Sequence, residues 1–260
     1  MLSALAASLE APMQAKIDRA TINALVKRGL LDEDASLTQL GAITAIGCLP
    51  LEKQCRSIAI PYNTLSWDSA SNPEFYAYNI LVQQGYVGSY CEGGGFGTAI
   101  KALCLGELTR ASIFYDTCID AREDACLKGV VALSHIEKSK LEDIFRQILH
   151  TPRAQFIAAF SEIISYSAIR EWYPGLTLEF AEALFDTVPK EHFIRLAKWI
   201  SLDHTHRNGW PDLTLIKDGR LKFIEVKTTD KLHHSQLVAI PALIREISAD
   251  IFVLQLSRLS

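Results

Sequence analysis

The 260-residue chain has no cysteine after Cys126, and none of its six cysteines (Cys48, Cys55, Cys91, Cys104, Cys118 and Cys126) belongs to a Cys-x-x-Cys pair. That spacing excludes a zinc ribbon and argues against a disulfide framework, leaving free, buried thiols in a reducing compartment as the expectation. There is also no run of 18 apolar residues, so no membrane span is expected. The N-terminus, MLSALAASLEAPMQAKIDRA, is apolar at first. It has no basic start and meets Glu10 too soon for a secretory signal. A cytoplasmic, bacterial or phage, or nucleoid-associated protein is the resulting expectation. Low-complexity tracts, like-charge runs and repeats at solenoid spacing are absent as well, which leaves an ordinary globular chain long enough for a sizeable core.

The net charge of −4 carries no overall signature of nucleic-acid binding. Its distribution is uneven. From Lys190 onward there are 11 Lys and Arg against 8 Asp and Glu, so this part is basic while the preceding part is acidic.

Apolar spacing and punctuation divide the chain into a helical unit with a linker over 1–70 and a main domain over 71–260. QAKIDRATINALVKRGLL reads as a helix ending at Gly29, and a second helix follows from a capping Ser36. Their junction resembles the end of a winged helix, though a simple packing pair fits equally. CLPLEKQCRSIAIPYNTLSWDSASNP is turn-rich and reads as an irregular linker. EFYAYNILVQQGY forms an amphipathic helix stopped by Gly85, and the glycines of CEGGGFGTAIK precede another. They lack the Gly-Lys-Ser/Thr of a phosphate loop, so they read as turn or close-packing positions. PRAQFIAAFSEIISYSAIREW reads as one helix. The final segment spells β-β-α-β.

The chemistry concentrates in GWPDLTLIKDGRLKFIEVKTTD, residues 209–230. An Asp-Gly dipeptide between apolar runs favours a two-residue hairpin turn at Asp218 and Gly219. Counting outward, 217 then faces 220 and Asp212 lies opposite Glu225, with Lys227 on the same face two residues on. Two carboxylates this close repel and lose hydration, and a divalent cation would compensate. Mg²⁺ or Mn²⁺ suits two carboxylates and a backbone carbonyl such as that of Val226. A cation there would make phosphodiester hydrolysis feasible, with Lys227 orienting water or stabilising charge on phosphorus. The alternative is a surface hairpin in which Glu225 and Lys227 form an ordinary ion pair.

These residues carry a resemblance. Gly209, Pro211, Asp212 and Leu213, then Glu225, Val226 and Lys227, then Asp230, Leu232 and Gln236 match G-x-PDL, EVK and D-x-L-x3-Q of the VRR-NUC domain in the PD-(D/E)xK nuclease superfamily. Upstream, EFYAYNILVQQGYVGSYCEGGGFGTAIKALCL resembles the Fanconi-associated nuclease family, and the likeness covers residues 70–260. It implies a restriction-endonuclease-like α/β core, with a mixed sheet flanked by helices. It further implies that Glu92 completes a metal site with Asp212 and Glu225, and that Gln236, on the first turn of a helix, contacts water or phosphate.

The expected activity is metal-dependent, structure-specific DNA cutting of flap, branched or junction substrates in repair or recombination. Stand-alone relatives of this kind act as dimers, which adds a homodimer to the expectation. Two alternatives remain: a sequence-specific restriction- or transposon-type nuclease, and a non-catalytic DNA-binding protein with a decayed core. Arg207, Lys217, Lys222, Lys231 and His233 are candidate DNA contacts by position. His204 and His206, like His233 and His234, admit zinc, phosphate contact or plain solvent exposure.

Overall fold

The computed structural model describes residues 19–68, 71–111 and 120–258, without the side chains at 129, 131 and 132. Residues 1–18, most of the stretch read as lacking a secretory signal, and the thiol of Cys118 fall outside the described residues. Of the other cysteines, Cys55, Cys104 and Cys126 are buried free thiols, while Cys91 is half-buried and Cys48 exposed. No helix among the described residues is long and apolar enough to cross a membrane.

The chain opens with helices α1 (Arg19–Lys27) and α2 (Gln39–Cys48), joined across a bridge between Leu31 and Leu37. The second helix is capped by Thr38, not Ser36: the Thr38 hydroxyl accepts the Gly41 N–H at 3.0 Å. Ser36 instead gives its N–H to Asp32 Oδ1 at 2.8 Å and closes the preceding turn.

The stretch read as an irregular linker is ordered and belongs to the core. It forms α3 (Leu51–Ser57) and strand β1 (Tyr62–Trp67), so the sheet begins before residue 70. Strand β1 lies parallel to β5 (Asp250–Arg258), with Tyr62 opposite Val253. Next come β4 (Arg220–Lys227), parallel to β5, then β3 (Leu213–Lys217) and β2 (Val87–Ser89), each antiparallel to its neighbour. Among the described residues this gives one mixed five-stranded sheet in the order β1-β5-β4-β3-β2.

Alternation along the strands gives the sheet two apolar faces. Phe223, Ile216 and Val253 pack with Phe96 of α5 (Gly94–Ala111), Phe193 of α11 (Lys190–Leu202) and Leu237 of α12 (His234–Ile247). Leu213, Leu215, Ile224 and Val226 face the other way, toward Ala77 of α4 (Pro73–Gln83) and Trp67. The remaining helices, α6 (Ala121–Ala132), α7 (Lys138–His150), α8 (Arg153–Ser165), α9 (Ser167–Trp172) and α10 (Leu178–Thr187), extend the first layer. The segment read as one helix is broken between α8 and α9 at Tyr166, whose backbone is extended. At the end of α8 the Ser165 hydroxyl turns back onto the Glu162 carbonyl at 2.6 Å.

The N-terminal helices are tied to the loop that precedes α12. Gln54 is fully buried; its amide donates to the Ile46 and Gly47 carbonyls at 3.2 Å and its oxygen accepts the Leu232 N–H at 2.8 Å. Gln54→Ala strands these buried partners. It should cost about 1–3 kcal/mol in denaturant unfolding, and a change below measurement error would show that the clamp contributes nothing.

Candidate active site

The β3–β4 hairpin has the expected register. Asp218 (φ 52°) and Gly219 (φ 67°) both adopt the left-handed backbone of a two-residue type I′ turn, and Lys217 pairs with Arg220. The ladder runs to Leu213 opposite Ile224. One step further, Asp212 stands across from Glu225, on the face that holds Phe223. Gly209 brings the strand in. Its φ is +76°, and a Cβ there would come within 2.3 Å of the Ser235 backbone, so the chain passes directly against the N-terminus of α12.

Burial and charge work against each other at this point. Glu225 is fully buried, and its Oε1 is held by Lys227 Nζ at 3.0 Å and by the Gln236 amide at 2.5 Å. Its Oε2, equally buried, makes no hydrogen bond of ordinary geometry among the described residues, although a contact with the Asp212 carboxyl contributes to raising Glu225. Burial and the facing Asp212 push the Glu225 carboxyl well above the usual carboxylate range, against the pull of Lys227. Asp212 is pushed up to about 6 by burial and by Glu74 and Glu92, although the Val226 N–H, 2.7 Å from its Oδ2, and Lys227 oppose that. Burial alone would lower the Lys227 pKa; Glu225, Asp230 and Asp212 outweigh it, so the ammonium is held charged. Asp230 lies 3.3 Å from Lys227 Nζ.

Pro211 has a place in this arrangement. By the hairpin register it would oppose Val226, whose N–H already turns toward Asp212. A strand residue's N–H and C=O point to the same side, and proline has no N–H to offer. The Val226 carbonyl therefore points to the β3 side, where Pro211 has no donor to give it.

The other expected residues divide. Gln236 reaches the site, where its amide donates to Glu225 Oε1 and its oxygen accepts the His233 N–H at 2.8 Å, joining the carboxylate to the start of α12. Glu92 sits beside Asp212 through its backbone, donating its N–H to the Asp212 carbonyl at 3.1 Å from a left-handed φ of 47°. Its side chain is exposed, and no three His, Cys, Asp or Glu side chains converge on a point among the described residues. The glycines after it are close-packed: a Cβ on Gly94 would come within 2.3 Å of the Tyr173 ring.

Lys217 and Lys222 are not brought to the site. They lie on the opposite face toward the hairpin tip, where Lys217 donates to the Gln84 carbonyl at 2.7 Å and Lys222 pairs with Asp250 at 3.3 Å. Five strand residues separate Lys217 from Asp212, roughly 17 Å. Replacing both lysines with alanine should leave DNA affinity within about 2-fold, because neither reaches the face that carries Asp212 and Glu225; a 10-fold loss in a DNA-binding assay would show that they contact DNA. Lys231 donates to the Cys48 carbonyl at 3.1 Å and so fastens the end of α2. His233 precedes α12 and lies 3.7 Å from Asp230. Arg207 is exposed beside Glu92 and Tyr173. His206 stacks on Trp199 with centroids 4.4 Å apart and bonds the Trp199 carbonyl at 2.7 Å, a packing role; His204 lies near Asp203.

One acid was not singled out in the sequence. Glu74, in the first turn of α4, lines a groove with Asp212 and Glu92 and raises the Asp212 pKa more than Glu92 does. An acid after a helix-capping Asn72 is ordinary, since the helix dipole favours it there, so spacing gave no reason to choose it.

No family model matches the chain, and no curated protein matches it in sequence, so the VRR-NUC resemblance has no independent sequence support. The fold is similar to that of paFAN1. A crystal structure of paFAN1 bound to 2nt 5′ flap DNA with a gap superposes with a TM-score of 0.56 at 17% identity, covering 93% of this chain and 48% of that one. A second, bound to 1nt 5′ flap DNA with a gap, gives 0.52 at 17%, covering 93% and 49%. The chain spans about half the length of these structures, and at this identity the likeness establishes the fold.

Proposed function

We propose that the chain is a divalent-metal-dependent DNA nuclease that selects flap or branched DNA by shape. The observation that carries this reading is the facing pair Asp212 and Glu225, with the buried Glu225 Oε2 making no ordinary hydrogen bond among the described residues, beside a buried Lys227. Burying like charges without compensation is costly, and a nuclease gains from that cost when a cation relieves it. The donor set is hard oxygen throughout, which suits Mg²⁺ or Mn²⁺. Asp212, Glu225 and the Val226 carbonyl would hold the ion, with Glu92 as a further ligand and Glu74 adding negative potential. A cation bound there would polarise a phosphodiester and favour ionisation of water.

The chain's own groups do the rest. Lys227 keeps its proton, so it can hold a water by hydrogen bond and stabilise charge growing on the phosphate. Gln236 fixes Glu225 in one orientation through the α12 backbone, which keeps Oε2 turned to the site. That makes Gln236 a positioning residue. Structural similarity to paFAN1 on flap DNA supports DNA as the substrate, and homodimerisation remains part of the proposal.

The test is incubation of the full chain with labelled flap, fork, four-way-junction and linear duplex DNA, with Mg²⁺, with Mn²⁺ and with chelator. Metal-dependent cutting near the branch supports the reading. Equal cutting of linear and branched DNA would remove the shape selectivity, and no cutting in either metal would remove the activity.

A further inference from the structure

The groove that opens on Asp212 has a character the carboxylates do not explain. It has a volume of about 670 Å³, within the range of about 300–1,000 Å³ typical of pockets that enclose organic ligands. Phe75 and Trp172, 42% and 54% exposed, line it together with Tyr90 and Tyr173. Phe75 meets Tyr90 edge-on, with centroids 5.5 Å apart, which braces its ring. Trp172 is placed by the break at Tyr166, since α9 departs from α8 there and ends on it.

Large exposed aromatics next to a candidate catalytic centre mark a contact surface. Their chemistry narrows the occupant. Neither Lys nor Arg lines this groove, while Glu74, Glu92 and Asp212 do. A duplex keeps its base faces stacked on one another and offers a protein its phosphates and groove edges, so it gives these rings no face to stack on. An unpaired base carries no charge and has a flat π-face that stacks on aromatic rings whatever its identity.

Resting on the nuclease reading above, we propose that Phe75 and Trp172 form a stacking platform for unpaired nucleotides next to the phosphate positioned at Asp212. The platform makes an unpaired strand, and not the duplex alone, the feature that the site recognises.

The fluorescence of the protein gives a direct readout. Of its four tryptophans, Trp67, Trp199 and Trp210 are 8%, 6% and 3% exposed. Trp172 is therefore the one a ligand can reach in the groove. In Ca²⁺, a hard cation with the same preference for oxygen, titration with short oligothymidylate should change the tryptophan emission, and blunt duplex should not. Trp172→Phe should abolish the emission change while keeping affinity within about 2-fold. Trp172→Ala should weaken oligothymidylate binding by about 5- to 100-fold, the usual effect of losing one stacked base. Abasic oligonucleotide should bind the wild type about as poorly as it binds Trp172→Ala, with no further loss in the variant. An unchanged thermal midpoint shows that Trp172→Ala is folded.

Equal affinity of Trp172→Ala and wild type for oligothymidylate, or an emission change of the same size with blunt duplex, would overturn the platform. The two readings fail separately. Emission change without cutting in Mg²⁺ or Mn²⁺ keeps the platform and ends the nuclease reading, whereas cutting of flap DNA by Trp172→Ala with wild-type KM does the reverse.

Discussion

Asp212→Asn should make the metal-free protein more stable at pH 8 and at the same time lower metal-dependent cutting by about 10²- to 10³-fold, the usual effect of removing one preorganised electrostatic contact. Asparagine keeps an oxygen for the Val226 N–H at 2.7 Å, so the local fold is retained and only the charge is lost. The folded-state pKa of Asp212, about 6, lies above its ordinary 3.8. Below pH 4 the carboxyl is protonated in both folded and unfolded chains and carries no penalty. As pH rises through 6 the folded state must also release the proton, and the favourable difference is lost. Two units correspond to about 3 kcal/mol as an upper figure. Chemical unfolding at pH 4 and pH 8 measures this directly, and Glu225 adds a loss of the same sign. Mg²⁺ or Mn²⁺ should raise the stability of the wild type more at pH 8 than at pH 5, and that of Asp212→Asn by much less at either. A destabilised Asp212→Asn at pH 8 would mean that the carboxylate is a structural group already satisfied by its neighbours.

Lys227→Ala should lose activity to a similar degree but move stability in the opposite direction. Lys227 is 5% exposed and faces the fully buried Glu225 at 3.0 Å. Breaking one side of a buried pair typically costs about 3–5 kcal/mol, because the remaining charge has no partner. Saturating divalent cation should recover part of that stability without recovering the rate, since a cation replaces the charge but not the ammonium's hydrogen-bond donors. Lys227→Met, which keeps the apolar stem, separates packing from charge. Full activity in a folded Lys227→Met would sink the role assigned to the ammonium. Opposite stability changes at Asp212 and Lys227, with activity lost at both, are the signature of a site that trades stability for function.

Much of the hairpin was legible because its determinants are local. The Asp-Gly turn fixes the register, the register fixes which residues face each other, and Asp212 and Glu225 follow. The same counting places Lys222 three residues from Glu225 and so on the other face. Strand β1 was not legible for a different reason. Its partner β5 lies some 190 positions away, and burial alternates weakly along Tyr62–Trp67, so a turn-rich composition dominated the local signal. The break at Tyr166 is a change in one residue's backbone, and helical periodicity runs through it unchanged. Glu74 and Trp172 join the site only through packing between elements distant in sequence.

The central claim is that Asp212 and Glu225 share one divalent cation. Anomalous diffraction from crystals equilibrated with Mn²⁺ tests it most directly. The account predicts a peak bonded to an Asp212 oxygen, to Glu225 Oε2 and to the Val226 carbonyl, at ligand distances of about 2.1–2.3 Å. No peak there at a Mn²⁺ concentration that supports cutting, or a peak at His204 and His206 alone, would contradict it.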